Sequence, residues 1–160
     1  MAKEEKVSIS FILNGQKTEA EVTAALTVLE MLRRDFSLTA VKEGCGKGEC
    51  GACTIILNGQ PVTSCLKLAA QLKPTDEITT LEGLEKDPLL KNLQKAYVEE
   101  GAVQCGFCIP GMIVSSYVLL KKNHHPTEQD IKEALAGNIC RCTGYSKILT
   151  AVKRALPEGK

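Results

Sequence analysis

Eight cysteines stand in two unlike quartets, and any fold this chain adopts must bring the members of each quartet together. Cys45, Cys50 and Cys53 form a C-x4-C-x2-C run, with Cys65 as a distant fourth member. Cys105 and Cys108 form a C-x2-C pair, completed much later by the C-x-C of Cys140 and Cys142. Four thiolates at the first spacing are how a protein loop holds a [2Fe–2S] cluster. A second complete quartet in a chain of 160 residues predicts a second cluster. Two clusters in series suit a protein that moves electrons rather than one that transforms a substrate.

Two other uses of the cysteines compete. Zinc sites built from four cysteines commonly use short C-x2–4-C pairs. That alternative fits the second quartet better than the first. Disulfides are the other alternative, and they belong to oxidising compartments. The stretch from Met1 to Lys6 is polar, and no apolar signal region or twin-arginine stretch follows it. The expected location is therefore cytoplasmic, where an even cysteine count argues for metal. No segment approaches the roughly 18 consecutive apolar residues of a membrane span, so no membrane partner is expected. With 20 basic and 19 acidic side chains and no basic tract, no nucleic-acid partner is expected either. Aromatics are 4% and Trp is absent, which leaves little for stacking on bases.

Periodicity divides the chain. Val7, Ile9, Phe11 and Leu13 alternate as a strand, Asn14-Gly15 signals a hairpin, and Gln16 to Val22 returns. Thr27 with Glu30 is a capping-box pattern, and Val28, Leu29, Leu32 and Phe36 fit one helical face. Thr54 to Leu57, the turn Asn58-Gly59 and Val62 to Cys65 predict a second hairpin, and Glu77 to Leu81 a last short strand. A helix on a small, mostly hairpin-built sheet is the β-grasp pattern. From Glu82-Gly83 the period becomes helical. Leu90, Leu93, Tyr97 and Val98 mark one helix, and Pro110 to Lys122 a second with Pro in its first turn. Thr127 with Asp130 begins a third that ends at Gly137, and Ser146 to Leu156 makes a fourth with Ile148, Leu149, Val152 and Leu156 inward. The predicted class is α+β, with domains at 1–82 and 83–160, each carrying one quartet.

The first quartet lies in Glu43-Gly44-Cys45-Gly46-Lys47-Gly48-Glu49-Cys50-Gly51-Ala52-Cys53. Glycines let the backbone wrap tightly and let N–H groups approach sulfur, which an anionic cluster requires. In the second quartet, Cys105 and Cys108 are three apart and are expected to face one way from a first helical turn. Cys140 and Cys142 are two apart, which in a helix would point them to nearly opposite sides. They are expected on a turn before the last helix, with Gly144 helping the bend. Two helix N-termini would then favour the negative charge of one cluster.

Gly44-Cys45 through Cys50-Gly51-Ala52-Cys53-Thr54, Gln104-Cys105-Gly106-Phe107-Cys108 and Gly137-Asn138-Ile139-Cys140-Arg141-Cys142-Thr143-Gly144-Tyr145 closely resemble the iron–sulfur subunit of the molybdenum hydroxylase family. That group includes xanthine dehydrogenase, aldehyde oxidoreductase and carbon monoxide dehydrogenase. The resemblance covers nearly the whole chain. It implies a plant-type ferredoxin-like N-terminal domain and an all-α four-helix C-terminal domain, each with a [2Fe–2S] cluster. It implies electrons drawn from a molybdenum–pterin centre and passed toward FAD or another acceptor, with the C-terminal cluster nearest molybdenum. It places Gln104 and Cys142 against the pterin cofactor, which another chain mainly holds. At this length no flavin or molybdenum domain is expected, so the resemblance implies a small subunit. Its partners would be a large molybdenum-binding subunit and a FAD-binding medium subunit. Ile109 departs from the Thr that often follows the second cysteine of that motif; it is not a ligand.

The leading expectation is thus an electron-transfer subunit with no substrate-transforming site of its own. The substrate of the whole enzyme is expected to be a purine or other N-heterocycle. Aldehyde, aromatic-CoA and carbon monoxide dehydrogenases are alternatives, as are a freestanding two-cluster ferredoxin and a zinc-stabilised module. No nucleophile–base pair or phosphate-binding glycine motif is present. His124 and His125 read as solvated residues of an interhelical loop, as does Lys47 in the first cysteine loop, while Thr143 and Tyr145 shape a turn.

Overall fold

A computed structural model describes residues 5–156 of the chain. Strands β1 (Lys6–Leu13) and β2 (Gln16–Thr23) form an antiparallel hairpin. Asn14 and Gly15 both take positive φ, 51° and 80°, as a two-residue turn matched to the twist of the strands requires. The alternation of β1 buries Ile9, Phe11 and Leu13, whereas Val7, at the outer end, is exposed. Helix α1 (Val28–Arg34) opens with the capping box of Thr27 and Glu30, and Val28, Leu29, Met31 and Leu32 face the sheet core. Phe36 lies past the end of α1 and meets Phe11 edge-on at 6.0 Å between ring centres.

The second hairpin joins β3 (Thr54–Leu57) to β4 (Gln60–Thr63). Its return strand lies earlier than the Val62–Cys65 expected from sequence. Thr63 pairs with Thr54, the first residue after the cysteine loop, so the ladder has no further partner. Ser64 instead places both its N–H and its hydroxyl on the Cys53 carbonyl, at 3.3 and 2.8 Å. That turns Cys65 out of the strand and back beside Cys53. Strand β5 (Glu77–Thr79) is the shortest, yet it sits at the centre of the order β2-β1-β5-β3-β4. It runs parallel to β1 and antiparallel to β3, and so fuses the two hairpins into one sheet.

Helices α2 (Pro88–Glu99), α3 (Ile109–Lys122), α4 (Glu128–Leu135) and α5 (Ser146–Arg154) follow. Leu90, Leu93 and Tyr97 of α2 are buried as expected. Val98 is not: it is 73% exposed, because it lies one residue, or about 100°, around the helix from Tyr97. Helix α3 is buried along most of its length. Helix α4 carries the predicted capping box of Thr127 and Asp130, with Ala136 as its C-cap and Gly137 following. Two apolar cores result. One joins α1 to the sheet. The other joins the four later helices and also takes in Ile56 of β3. Helix α3 therefore packs on β3 and β4 and is the element through which the halves meet. No helix among the described residues is long and apolar enough to cross a membrane.

Candidate metal centres

The loop before β3 wraps around the Cys45 sulfur. The N–H groups of Lys47, Glu49 and Cys50 all donate to it at 3.4 Å. Donors from Lys47, Cys50 and Glu49 pull this thiol down to about 6. Its side-chain neighbour is the Cys50 thiol. Beneath the loop, Cys65 is in the same relation to Cys53. Burial first, then the Cys53 sulfur, pushes Cys65 up to about 11. The four thiols of the first quartet are thus together, as two pairs.

The second quartet also forms two pairs. Cys105 and Cys142 are exposed, with sulfurs 3.6 Å apart. Cys108 and Cys140 are buried neighbours, each acting on the other's titration. Cys108 is the N-cap of α3, and Cys105 lies before it in a bend where Gly106 takes φ 82°. The expectation that both thiols face one way from a first helical turn is therefore corrected: only Cys108 touches the helix. Cys140 and Cys142 do lie on a turn before α5. Gly144 (φ 64°) and Tyr145 (φ 68°) bend it, and Tyr145 is the N-cap of α5. The Tyr145 hydroxyl accepts from the Cys140 N–H at 2.8 Å, and the Thr143 hydroxyl donates to the Cys140 sulfur at 3.2 Å. Burial raises the Cys140 thiol, but the Thr143 hydroxyl and the N–H groups of Thr143 and Cys142 outweigh it and leave it lowered. Burial, then Cys140, lifts Cys108 to about 12.

The arrangement suits a binuclear centre in each half. Two sulfurs on one tetrahedral metal, with bonds of about 2.3 Å, stand roughly 3.8 Å apart. The 3.6 Å pair matches that span. A mononuclear zinc centre needs three or four donors around one point. Among the described residues no three His, Cys, Asp or Glu side chains form such a group. Two donors at each of two points is what a [2Fe–2S] core takes from a protein. Electrostatics agree, since burial and neighbouring thiols disfavour the thiolates of Cys65 and Cys108, and a bound cation would offset that. None of the eight cysteines is in a disulfide.

The two quartets are neighbours. A cleft of about 360 Å³ is bounded by Cys45 and Cys50 on one side and by Cys105, Cys108, Cys140 and Cys142 on the other. The Ile139 N–H donates to the Cys50 carbonyl at 2.9 Å. The buried Asn138 side chain donates to the Gly51 carbonyl at 2.9 Å and to the Thr54 hydroxyl at 3.3 Å. Sequence reasoning names Asn138 only as one member of the Gly137–Tyr145 motif and gives it no role of its own.

Gln104 is exposed and donates to the Cys142 carbonyl at 3.1 Å, so the two residues singled out beside the cysteines share one surface. Val103, Phe107 and Ile139 are exposed apolar residues of the neighbouring segments. His124 and His125 are exposed in the loop between α3 and α4, and Lys47 is exposed in the first cysteine loop. Ile109 is buried in the helical core.

Residues 4–96 match the family described as 2Fe-2S iron-sulfur cluster binding domain, and residues 80–153 match the [2Fe-2S] binding domain family. The chain is 50% identical over 151 residues to the nicotinate dehydrogenase small FeS subunit of Eubacterium barkeri, covering 94% of this chain and 96% of that one. It is 42% identical over 154 residues to the xanthine dehydrogenase iron-sulfur-binding subunit of Escherichia coli, covering 95% and 96%. Its fold is similar to the crystal structure of quinoline 2-oxidoreductase from Pseudomonas putida 86. The TM-score is 0.88 at 38% identity, over 94% of this chain and 93% of the other.

Proposed function

This chain belongs to the iron–sulfur subunits of the molybdenum hydroxylase family, and from that premise we propose that Cys45, Cys50, Cys53 and Cys65 hold one of its two [2Fe–2S] clusters and Cys105, Cys108, Cys140 and Cys142 the other. The protein is an electron-transfer subunit of a molybdenum-dependent oxidoreductase. Each cluster supplies a site that takes up and releases one electron. The observation that carries the ligand assignment is the gathering of four thiols in each half as mutual neighbours, with the Cys105 and Cys142 sulfurs 3.6 Å apart. Cys45 with Cys50, Cys53 with Cys65, Cys105 with Cys142 and Cys108 with Cys140 would each serve one iron.

The remaining residues have supporting tasks. Three N–H groups orient the Cys45 sulfur and favour its thiolate. The Thr143 hydroxyl does the same for the Cys140 sulfur, while Tyr145 fixes the Cys140 backbone by accepting its N–H. The ferredoxin-like β-grasp domain spans 1–82 and the four-helix domain 83–160, a division supported by the two apolar cores.

A large molybdenum-binding subunit covers the face around Gln104 and Cys142, which lie against its pterin cofactor. The exposed Val103, Phe107 and Ile139, on the segments that carry the second quartet, support a buried interface there. A FAD-binding medium subunit takes electrons from the ferredoxin-like side, in the cytoplasm. The substrate of the assembled enzyme is an N-heterocycle, either a pyridine carboxylate or a purine. The names of the nicotinate and xanthine dehydrogenase relatives support that class.

Native purification through a tag on this chain tests the whole reading. The expected result is a co-purifying large subunit containing molybdenum and pterin. Adding nicotinate or hypoxanthine without an acceptor should then bleach the visible absorbance of the clusters. A lone chain, or clusters that only dithionite reduces, would count against it.

A further inference from the structure

Two consecutive carbonyls of the first cysteine loop, those of Cys50 and Gly51, are held by two consecutive residues of the turn that carries Cys140. The Ile139 N–H binds the first at 2.9 Å, and the Asn138 side chain binds the second at 2.9 Å. The orientation of that amide follows from its partners. The Gly51 carbonyl can only accept, so the NH2 group must face it, and the oxygen is left to accept from the Ser115 hydroxyl at 2.7 Å. Ser115 belongs to α3, the element shared by both halves, and both side chains are 4% exposed. The Gly51 carbonyl also accepts from the Thr54 hydroxyl at 2.7 Å and the Thr54 N–H at 3.1 Å. Sterics close the gap further. A Cβ on Gly51 would lie 2.2 Å from the Gly137 carbonyl oxygen, and one on Gly111 would lie 2.3 Å from the Gly51 carbonyl oxygen.

We propose that Asn138 is a positioning residue that fixes the separation and relative orientation of the two cluster sites. A [2Fe–2S] core bound by Cys50 and one bound by Cys140 would be bridged by a single hydrogen bond, from the Ile139 N–H to the Cys50 carbonyl. Asn138 and Ser115 hold that bond at its length. One electron passes between the sites, oxidising one and reducing the other, with no proton or atom transferred. Asn138 touches no cysteine sulfur, so it acts on the distance between sites and not on either site alone. This rests on the cluster assignment above.

The assembled enzyme with Asn138→Ala, and separately with Ser115→Ala, is compared with the unaltered enzyme. Electron paramagnetic resonance after full reduction reports each centre by its g-values and their separation by the magnetic splitting between them. Hydrogen exchange of the Ile139 amide reports the clamp without reference to iron. The expected result is two signals with unchanged g-values in both variants, a diminished or broadened splitting, and Ile139 exchange faster by about tenfold or more. If Asn138→Ala does not assemble, Ser115→Ala decides, because it removes the aiming hydrogen bond from within α3 and alters neither loop. Unchanged splitting and unchanged Ile139 exchange, with both signals present, overturn the proposal and leave the cluster assignment standing. Loss of one signal in Ser115→Ala also overturns it, since the network would then hold a single site. Fewer than two signals in the unaltered enzyme would overturn the cluster assignment itself.

Discussion

Gly51 tolerates no side chain. It combines φ 68° with a Cβ position 2.2 Å from the Gly137 carbonyl oxygen. Gly51→Ala is expected to destabilise the protein by at least about 2 kcal/mol, from a left-handed non-glycine backbone and the displaced neighbour; a denaturant melt checks it. Tyr145 is the opposite case, a bulky residue kept at φ 68° by its own hydroxyl, which accepts from the Cys140 N–H. Tyr145→Phe leaves that N–H without its partner. The expected cost is about 1 kcal/mol, with a shifted signal from the C-terminal cluster and none from the other. Cys50→Ser should abolish the N-terminal cluster signal and spare the C-terminal one; loss of both would contradict separate sites. The cysteines were legible because ligand spacing is local. Asn138 was not, because its value comes from Ser115 and Gly51, 23 and 87 residues away. The motif around Cys140 contains Asn138 but does not name those partners.

Helix α2 is fixed at its start by Asp87, which accepts from the Leu89 N–H at 2.8 Å and from the Tyr117 hydroxyl of α3 at 2.7 Å. Burial raises this carboxyl. The Tyr117 hydroxyl, the Leu89 N–H and Lys121 outweigh burial and leave it below its usual 3.8. A carboxylate with a lowered folded value stabilises fully above the unfolded value and loses that contribution as pH falls through the folded one. Stability should therefore decline below about pH 4. Asp87→Asn keeps the cap and should flatten that decline, whereas Asp87→Ala should cost about 1–2 kcal/mol at neutral pH. Thermal melts of the three proteins across pH 3–7 separate the charge from the cap. Glu128, bridging Lys132 and Lys153 between α4 and α5, is held down at about 2 by its hydrogen bonds to those lysines. Its side chain is half exposed and its partners lie at the surface, so its removal should matter far less. Helices and hairpins were legible from caps and Asn-Gly turns. The central place of β5 was not, because three residues carry no register, and pairing with β1 is decided by distant chain. Cys105 was misread for a related reason: a C-x2-C spacing fits a helical turn and a bend before one equally well.

At the scale of the molecule, α3 is shared property. It lines the helical core, packs on β3 and β4, and carries the Ser115 that aims Asn138. The sheet half and the helical half are thereby held at one spacing, with their thiols on two sides of one cleft. A relay needs that rigidity more than it needs a pocket. The near balance of 20 basic and 19 acidic residues, beside exposed Val103, Phe107 and Ile139, suits a permanently docked subunit better than a carrier that exchanges partners by charge. Everything in this account depends on iron bound by both quartets. Mössbauer spectroscopy of anaerobically purified, iron-57-enriched enzyme measures that directly. The account predicts two binuclear iron centres for each copy of this chain, each with all-cysteine ligation. One centre, or mononuclear metal in either half, would contradict it.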